Sequence, residues 1–179
     1  NLVDVSSPKV MGILNITPDS FFDGGKYKNE ADILNQTEKM LSDGATFIDV
    51  GAYSSRPGAK HISEEEELQR IVPVINLLIN HFPEIIISVD TFRSKVALET
   101  INSGAAIIND ISGGKMDAKM FETVANLQVP YILMHMLGTP QSMQQNPVYK
   151  DVIEEIISFF AEQIYKLHQL KLNDIIIDV

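Results

Sequence analysis

Six times along this chain a short apolar run ends on a carboxylate, an amide or an imidazole, with loop and helix patterns filling the spaces between. Val10 to Leu14 stops at Asn15, Thr46 to Val50 carries Asp49, and Ile85 to Val89 stops at Asp90. Ala106 to Ile108 meets Asn109 and Asp110, Tyr131 to Met134 meets His135, and Ile175 to Ile177 meets Asp178. Near-continuous apolar runs of this length are strands buried on both faces, which means a parallel sheet covered by helices. The expected architecture is α/β, a (β/α)8 TIM barrel of which about six βα units are present, read as one domain over 1–179. Such a barrel takes about 250 residues, so two units are expected to be missing from this stretch, leaving open sheet edges. An open doubly wound sheet is the alternative, but no glycine-rich dinucleotide turn follows the first run.

The helices announce themselves by period and caps. Ala31 to Asp43 is helix-spaced and meets Gly44, a fitting residue after a helix end. Ser63 and Glu66 have capping-box spacing, and Glu64 to Glu67 put negative charge in a first turn, where a solvated helix start is expected rather than a metal cluster. Leu68, Ile71, Val72, Ile75, Leu78, Ile79 and Phe82 form that helix's apolar stripe, and Pro73 should kink it or loosen its preceding turn. Further helices are expected from Arg93 to Asn102, from Asp117 to Leu127 and from Val148 to Leu170, the last burying Val152, Ile156, Phe160, Ile164 and Leu167. The stretch from Gly51 to Ile62 is too rich in Gly, Pro and Ser to be regular.

In a barrel all strand ends converge on the C-terminal mouth, where barrels place their chemistry. Each polar end alone has an ordinary reading: Asp110 as a cap, Asp49 bonded to nearby loops, His135 as a satisfied core histidine. Together they predict a polar pocket, acidic and amide-rich. It has no Ser-His-Asp arrangement, no cysteine and no cluster of histidines for zinc. Buried carboxylates need donors, and an aminopyrimidinone ring would bring them. Ser54-Ser55-Arg56-Pro57-Gly58 offers hydroxyls, amides and one guanidinium, which suits phosphate, although Arg56 alone would also serve as a loop ion pair. Asn15 with a hard cation such as Mg2+ would suit the same phosphate from the other side. Ser112-Gly113-Gly114-Lys115 is a weaker phosphate candidate.

The formal charge of −10 and the absence of any dense Lys/Arg cluster argue against a nucleic-acid partner. No apolar run is long enough to cross a bilayer, so no membrane association is expected. Zero cysteines fit a reducing cytoplasm, the expected location.

The motifs themselves resemble a known family, dihydropteroate synthase, along nearly the whole chain. They are MGILNITPDSFFDGG from Met11 to Gly25, SRPGA from Ser55 to Ala59, VDT from Val89 to Thr91, INDISGG from Ile108 to Gly114 and LMHMLGTPQSMQ from Leu133 to Gln144. The resemblance implies a cytoplasmic transferase of folate biosynthesis, the sulfonamide target. It would condense 6-hydroxymethyl-7,8-dihydropterin diphosphate with para-aminobenzoate, with Mg2+ as cofactor and a homodimer as the complete enzyme. Carried over by motif, Asp90, Asn109 and Asp178 would hold the pterin edge, with Ile111 and Met134 packed on the ring. Asn15 would meet the metal-bound diphosphate, and Asp23 would join it as the first loop closes. Ser55 and Arg56 would hold phosphate, and Phe21 and Pro57 would shape the para-aminobenzoate pocket.

Two departures qualify the likeness. Tyr53 and Ser55 stand where family members often have Glu and Thr; serine keeps the hydroxyl and loses a methyl group on the para-aminobenzoate side, which points to sulfonamide binding. The family's later lysine and its arginine-histidine pair would lie beyond Val179, so these 179 residues alone are expected to bind pterin weakly and not to turn over. The rival expectations are a methyltetrahydrofolate-binding methyltransferase domain, which would not need the SRPGA and Phe21 loops, and a non-catalytic paralogue or fragment.

Overall fold

A computed structural model describes residues 3–16, 26–53, 61–139 and 147–179, with 26–29 as backbone only. Its elements run β1 Val10–Asn15, α1 Lys26–Ser42, β2 Ala45–Gly51, α2 Glu64–His81, β3 Ile86–Asp90 and α3 Ser94–Asn102. They continue with β4 Ile107–Asp110, α4 Met120–Leu127, β5 Tyr131–Met134, α5 Val152–Gln169 and β6 Ile175–Asp178. The strands form one sheet, every neighbouring pair parallel, in the order β1-β2-β3-β4-β5-β6. A doubly wound sheet reverses its strand order at a switch point; this one advances in a single direction, as a TIM barrel does.

Period-two alternation divides each strand between two faces. Leu14, Ile48, Val50, Ile87, Val89, Ile108, Tyr131 and Leu133 face the helices and join Ile71, Ile75, Leu78, Val96, Val124, Phe160 and Leu167 in the main core. The opposite parity turns inward, where Phe47, Ile107 and Ile132 pack with Met11, Ile86 and Ala106 into a small apolar plug. At the two edges the inward side chains are open: Ile13 is 66% exposed and Ile176 45%.

Several expected boundaries move. Helix α1 begins at Lys26 rather than Ala31. Helix α5 begins at Val152 because Asp151 caps it, accepting from the backbone N–H of Ile153 and Glu154. This puts Val152 on the outside, and the buried seam is Phe159, Phe160, Gln163 and Leu167, with Ile156 and Ile164 packed at its margin. Helix α2 runs without interruption through Pro73, which lies on its exposed side together with Gln69, whose carbonyl gets no N–H from the proline. Ser63 caps α2 as expected, accepting from Glu66 N–H at 3.1 Å. The glutamate run that follows is not uniformly solvated. Glu67 faces the core and is 1% exposed, because the seam of α2 is Glu67, Ile71, Val74, Ile75 and Leu78.

Candidate active site

The inward face of the sheet changes character above its apolar plug. The register pairs Asp49 with Ser88, then Asn15 with Gly51, Gly51 with Asp90 and Asp90 with Asn109. Paired residues in a parallel sheet point the same way, so four strands contribute amide, glycine, carboxyl and amide to one row. Gly51 supplies the gap in it. A methyl group added there would stand 3.2 Å from Asp90 Oδ2 and 3.3 Å from Asn15 Oδ1, closing the space that both oxygens overlook.

One layer below, Asn109 Nδ2 donates to Asp49 Oδ2 at 3.1 Å. Asp49 Oδ1 and Ser88 Oγ are buried without a hydrogen-bond partner. No donor among the described residues reaches the Asp90 carboxyl. Buried polar atoms are nearly always bonded, so this cluster is built for a donor-bearing ligand or ordered water. Burial pushes the Asp90 acid up to about 8, and the negative charges of Asp49, Glu67 and Asp110 add to the effect. Burial also raises Asp49, against the nearby Ser88 hydroxyl and then the Asn109 amide, which favour its charged form. Burial and its acidic neighbours thus favour the neutral form of Asp90, and N–H donors from a ligand would favour the charged one.

Met134 pairs with Asp178 on the same inward parity, and β4 reaches β5 through Asn109 beside Ile132. Asp178 is exposed at the sheet edge, and its backbone oxygen accepts from His135 N–H at 3.3 Å. Ile111 is half-buried against Tyr53, Ile62 and Phe92. Thus Asn15, Asp90 and Asn109 are brought together, with Met134 and Asp178 further round the same face. Phe21, Asp23, Ser55, Arg56 and Pro57 lie outside the described residues.

Two polar strand ends leave the ring. Asp110 follows Asn109 and must face outward, where it holds the turn after β4: its Oδ1 accepts from Ser112 N–H and Oγ, each at 2.7 Å. Its Oδ2 accepts from Gly114 N–H at 3.0 Å and from the Tyr131 hydroxyl at 2.6 Å. The turn needs its glycines, since Gly113 and Gly114 have φ of 59° and 78° and a side chain at Gly114 would overlap the Phe121 ring. Its amides being engaged by Asp110, Ser112 to Lys115 has little left for phosphate, and Lys115 lies over the Phe159 ring at 4.4 Å. His135 likewise turns outward, edge-on to Phe159 at 5.1 Å and beside Tyr149. Its ring lines an outer groove of about 1050 Å³ with Lys115, Glu154 and Lys166. Desolvation, and then the Lys115 charge, lower its pKa.

Sequence reasoning passed over Gly51, Ser88 and Glu67. The first two share the parity of Asp49 and Asp90, so alternation alone points to them. Among the described residues no group of three or more His, Asp or Glu side chains could cage a metal. No helix there is long and apolar enough to cross a membrane.

Comparison with known proteins agrees with this geometry. The chain is 46% identical over 167 residues to dihydropteroate synthase of Escherichia coli (strain K12), covering 93% of this chain and 58% of that protein. It is 51% identical over 154 residues to the mitochondrial folate synthesis bifunctional protein of Pisum sativum, covering 83% of this chain and 30% of the other. The fold superposes on the Yersinia pestis dihydropteroate synthase solved with a sulfonamide drug complex with a TM-score of 0.88 and 43% identity, covering 98% of this chain and 64% of that one. The chain thus spans less than two thirds of each of these relatives. The profile of one family, described as pterin binding enzyme, matches residues 11–179, the whole stretch that carries the inward ring. With its carboxyl and amide row on a six-stranded parallel TIM-barrel sheet, the chain belongs to the pterin-binding enzyme family.

Proposed function

We propose that the whole protein is a dihydropteroate synthase. It would condense 6-hydroxymethyl-7,8-dihydropterin diphosphate with para-aminobenzoate to give 7,8-dihydropteroate and diphosphate. The observation that carries the reading is the inward cluster Asn15–Gly51–Asp90–Asn109 over Asp49, in which acceptors outnumber donors. A pterin edge offers a row of N–H donors, which is what these oxygens lack. Asp90 and Asn109 would take that edge together with Asp178, and Ile111 and Met134 would pack against the ring. The SRPGA and Phe21 loops favour the synthase over a methyltransferase that uses the same kind of pocket.

The chemistry follows from the charges. The bond between the pterin methylene and the diphosphate oxygen breaks, and the ring delocalises the cation that remains. The arylamine nitrogen, neutral at pH 7, attacks the methylene and then loses a proton to solvent, so no strong base is needed. Carboxyls facing the ring stabilise the developing positive charge. Arg56 and Ser55 would hold the departing diphosphate, while Phe21 and Pro57 shape the arylamine pocket and exclude water.

Asn15 fits a role in holding Mg2+. Its Oδ1 looks into the gap at Gly51, and one neutral oxygen, with no acidic cage among the described residues, suits a cation that keeps waters and takes its other ligands from phosphate. When bound there, with Asp23 beside it, the ion would neutralise charge on the leaving diphosphate. A homodimer and a cytoplasmic location belong to the same reading.

The test is steady-state diphosphate release with both substrates and Mg2+, in the chain extended to the length of its bacterial relatives. Release should require para-aminobenzoate. Arg56→Ala should lower turnover by about 100-fold, as loss of a charge-stabilising group does, with a smaller effect on pterin affinity. Unaltered release in that variant would remove Arg56 from the reaction.

A further inference from the structure

Arg93 stands one helix-cap position before α3, and its guanidinium has an unusual set of neighbours. Nη1 bonds Glu67 Oε2, and Nη2 donates to the Ile62 carbonyl at 2.7 Å. Its Cζ lies over two rings, 5.4 Å from the centroid of Tyr53 and 5.2 Å from that of Phe92. Tyr53 and Ile62 flank the connection between β2 and α2, one near each end, and the Tyr53 hydroxyl is also 3.1 Å from His61 Nδ1. One side chain therefore touches both ends of the segment whose sequence contains Ser55 and Arg56.

Glu67 fixes the other side of this arrangement. Its Oε1 accepts from Thr91 Oγ1 at 2.8 Å, and Thr91 N–H in turn donates to the Asn109 carbonyl at 3.0 Å. Thr91 Oγ1 also accepts from Arg93 N–H at 3.2 Å. Thr91 adjoins Asp90, so the same buried carboxylate ties the pterin-facing strand end to the guanidinium. A buried ion pair of this sort contributes little net stability, because desolvation offsets its attraction. Its geometric specificity is what remains to be explained.

We propose that Arg93, held by Glu67, is a positioning residue for the diphosphate half of the substrate: it sets the two ends of the β2–α2 connection against the strand end that bears Asp90. The inference rests on the phosphate role proposed for Ser55 and Arg56. Lysine is a poor replacement for the arginine here, since an ammonium lacks the fixed fork that sends one N–H to Glu67 and a second to the Ile62 carbonyl.

The experiment compares two ligands by calorimetry on the full-length protein: hydroxymethyl-dihydropterin diphosphate and the same pterin without its diphosphate. Arg93→Lys and Glu67→Gln should each weaken the diphosphate form by about tenfold relative to the bare pterin, the cost of a small misplacement of binding groups. Arg70→Lys, at the Glu66–Arg70 pair of the same helix, away from Tyr53 and Thr91, should leave both affinities unchanged. If Arg93→Lys does not fold, Glu67→Gln, which retains shape and an acceptor for Thr91, decides the matter. Equal losses for the two ligands would reduce the pair to a structural role and overturn the proposal, as would unchanged affinity for both. A wild-type protein that does not prefer the diphosphate form would sink the synthase reading, and this inference with it.

Discussion

Replacing Asp90 by asparagine is expected to weaken pterin binding by about 100-fold or more, the scale of losing one partner of a buried charge-assisted hydrogen bond. The side chain keeps its size but exchanges one acceptor oxygen for an N–H2 group, which would face the donors of the ligand. Asp90 has no donor of its own among the described residues, and its neighbours Asp49 and Asn109 are already bonded to each other. No other group among the described residues is placed to take over. Folding should be spared, because a neutral amide resembles the neutral acid that burial favours at pH 7. Calorimetry giving an unchanged pterin affinity would remove Asp90 from the site.

The second large effect lies on the other face of the same strand. Asp110→Ala should lower stability by about 3–5 kcal/mol, since the Tyr131 hydroxyl and the Ser112 and Gly114 amides would lose their buried acceptor. For a chain of this size that corresponds to a fall in the unfolding midpoint of roughly 10 °C. Asp110→Asn should be milder, because its amide oxygen can still accept part of the set. A midpoint unmoved by Asp110→Ala in a thermal melt would show that the turn after β4 holds without its carboxylate.

Adjacent residues with opposite duties explain what could be read in the sequence and what could not. The six apolar runs specify the parallel sheet, and three of their polar ends, Asn15, Asp90 and Asn109, do fall in one row at one end of it. Asn109 and Asp110 cannot both face inward, however, and strict alternation would have separated inward-facing Asn109 from turn-holding Asp110 without any coordinates. His135 falls to the outer face by the same count. Glu67 was harder. Four successive glutamates read as a solvated helix start, and only the packing of Thr91 and Arg93 against α2 shows that one of them is buried. The start of α5 was misjudged because Val148 and Val152 extend its apolar pattern, whereas the Asp151 cap sets the boundary. Gly51 carried no signal beyond ending a strand; its use as a gap between two oxygens is a tertiary fact.

The central claim is that the inward carboxyls recognise the donor edge of a pterin. It is tested most directly by titrating hydroxymethyl-dihydropterin into the full-length protein at pH 7 in two buffers that differ in ionisation enthalpy. Because burial pushes the Asp90 acid up to about 8, it is expected to enter the complex largely as the neutral acid at pH 7 and to ionise as ligand N–H groups bind. The account predicts release of up to about one proton per pterin, diminishing as the pH is raised past 8 and absent in Asp90→Asn. Tight binding with identical heats in both buffers, and hence no proton released, would contradict it.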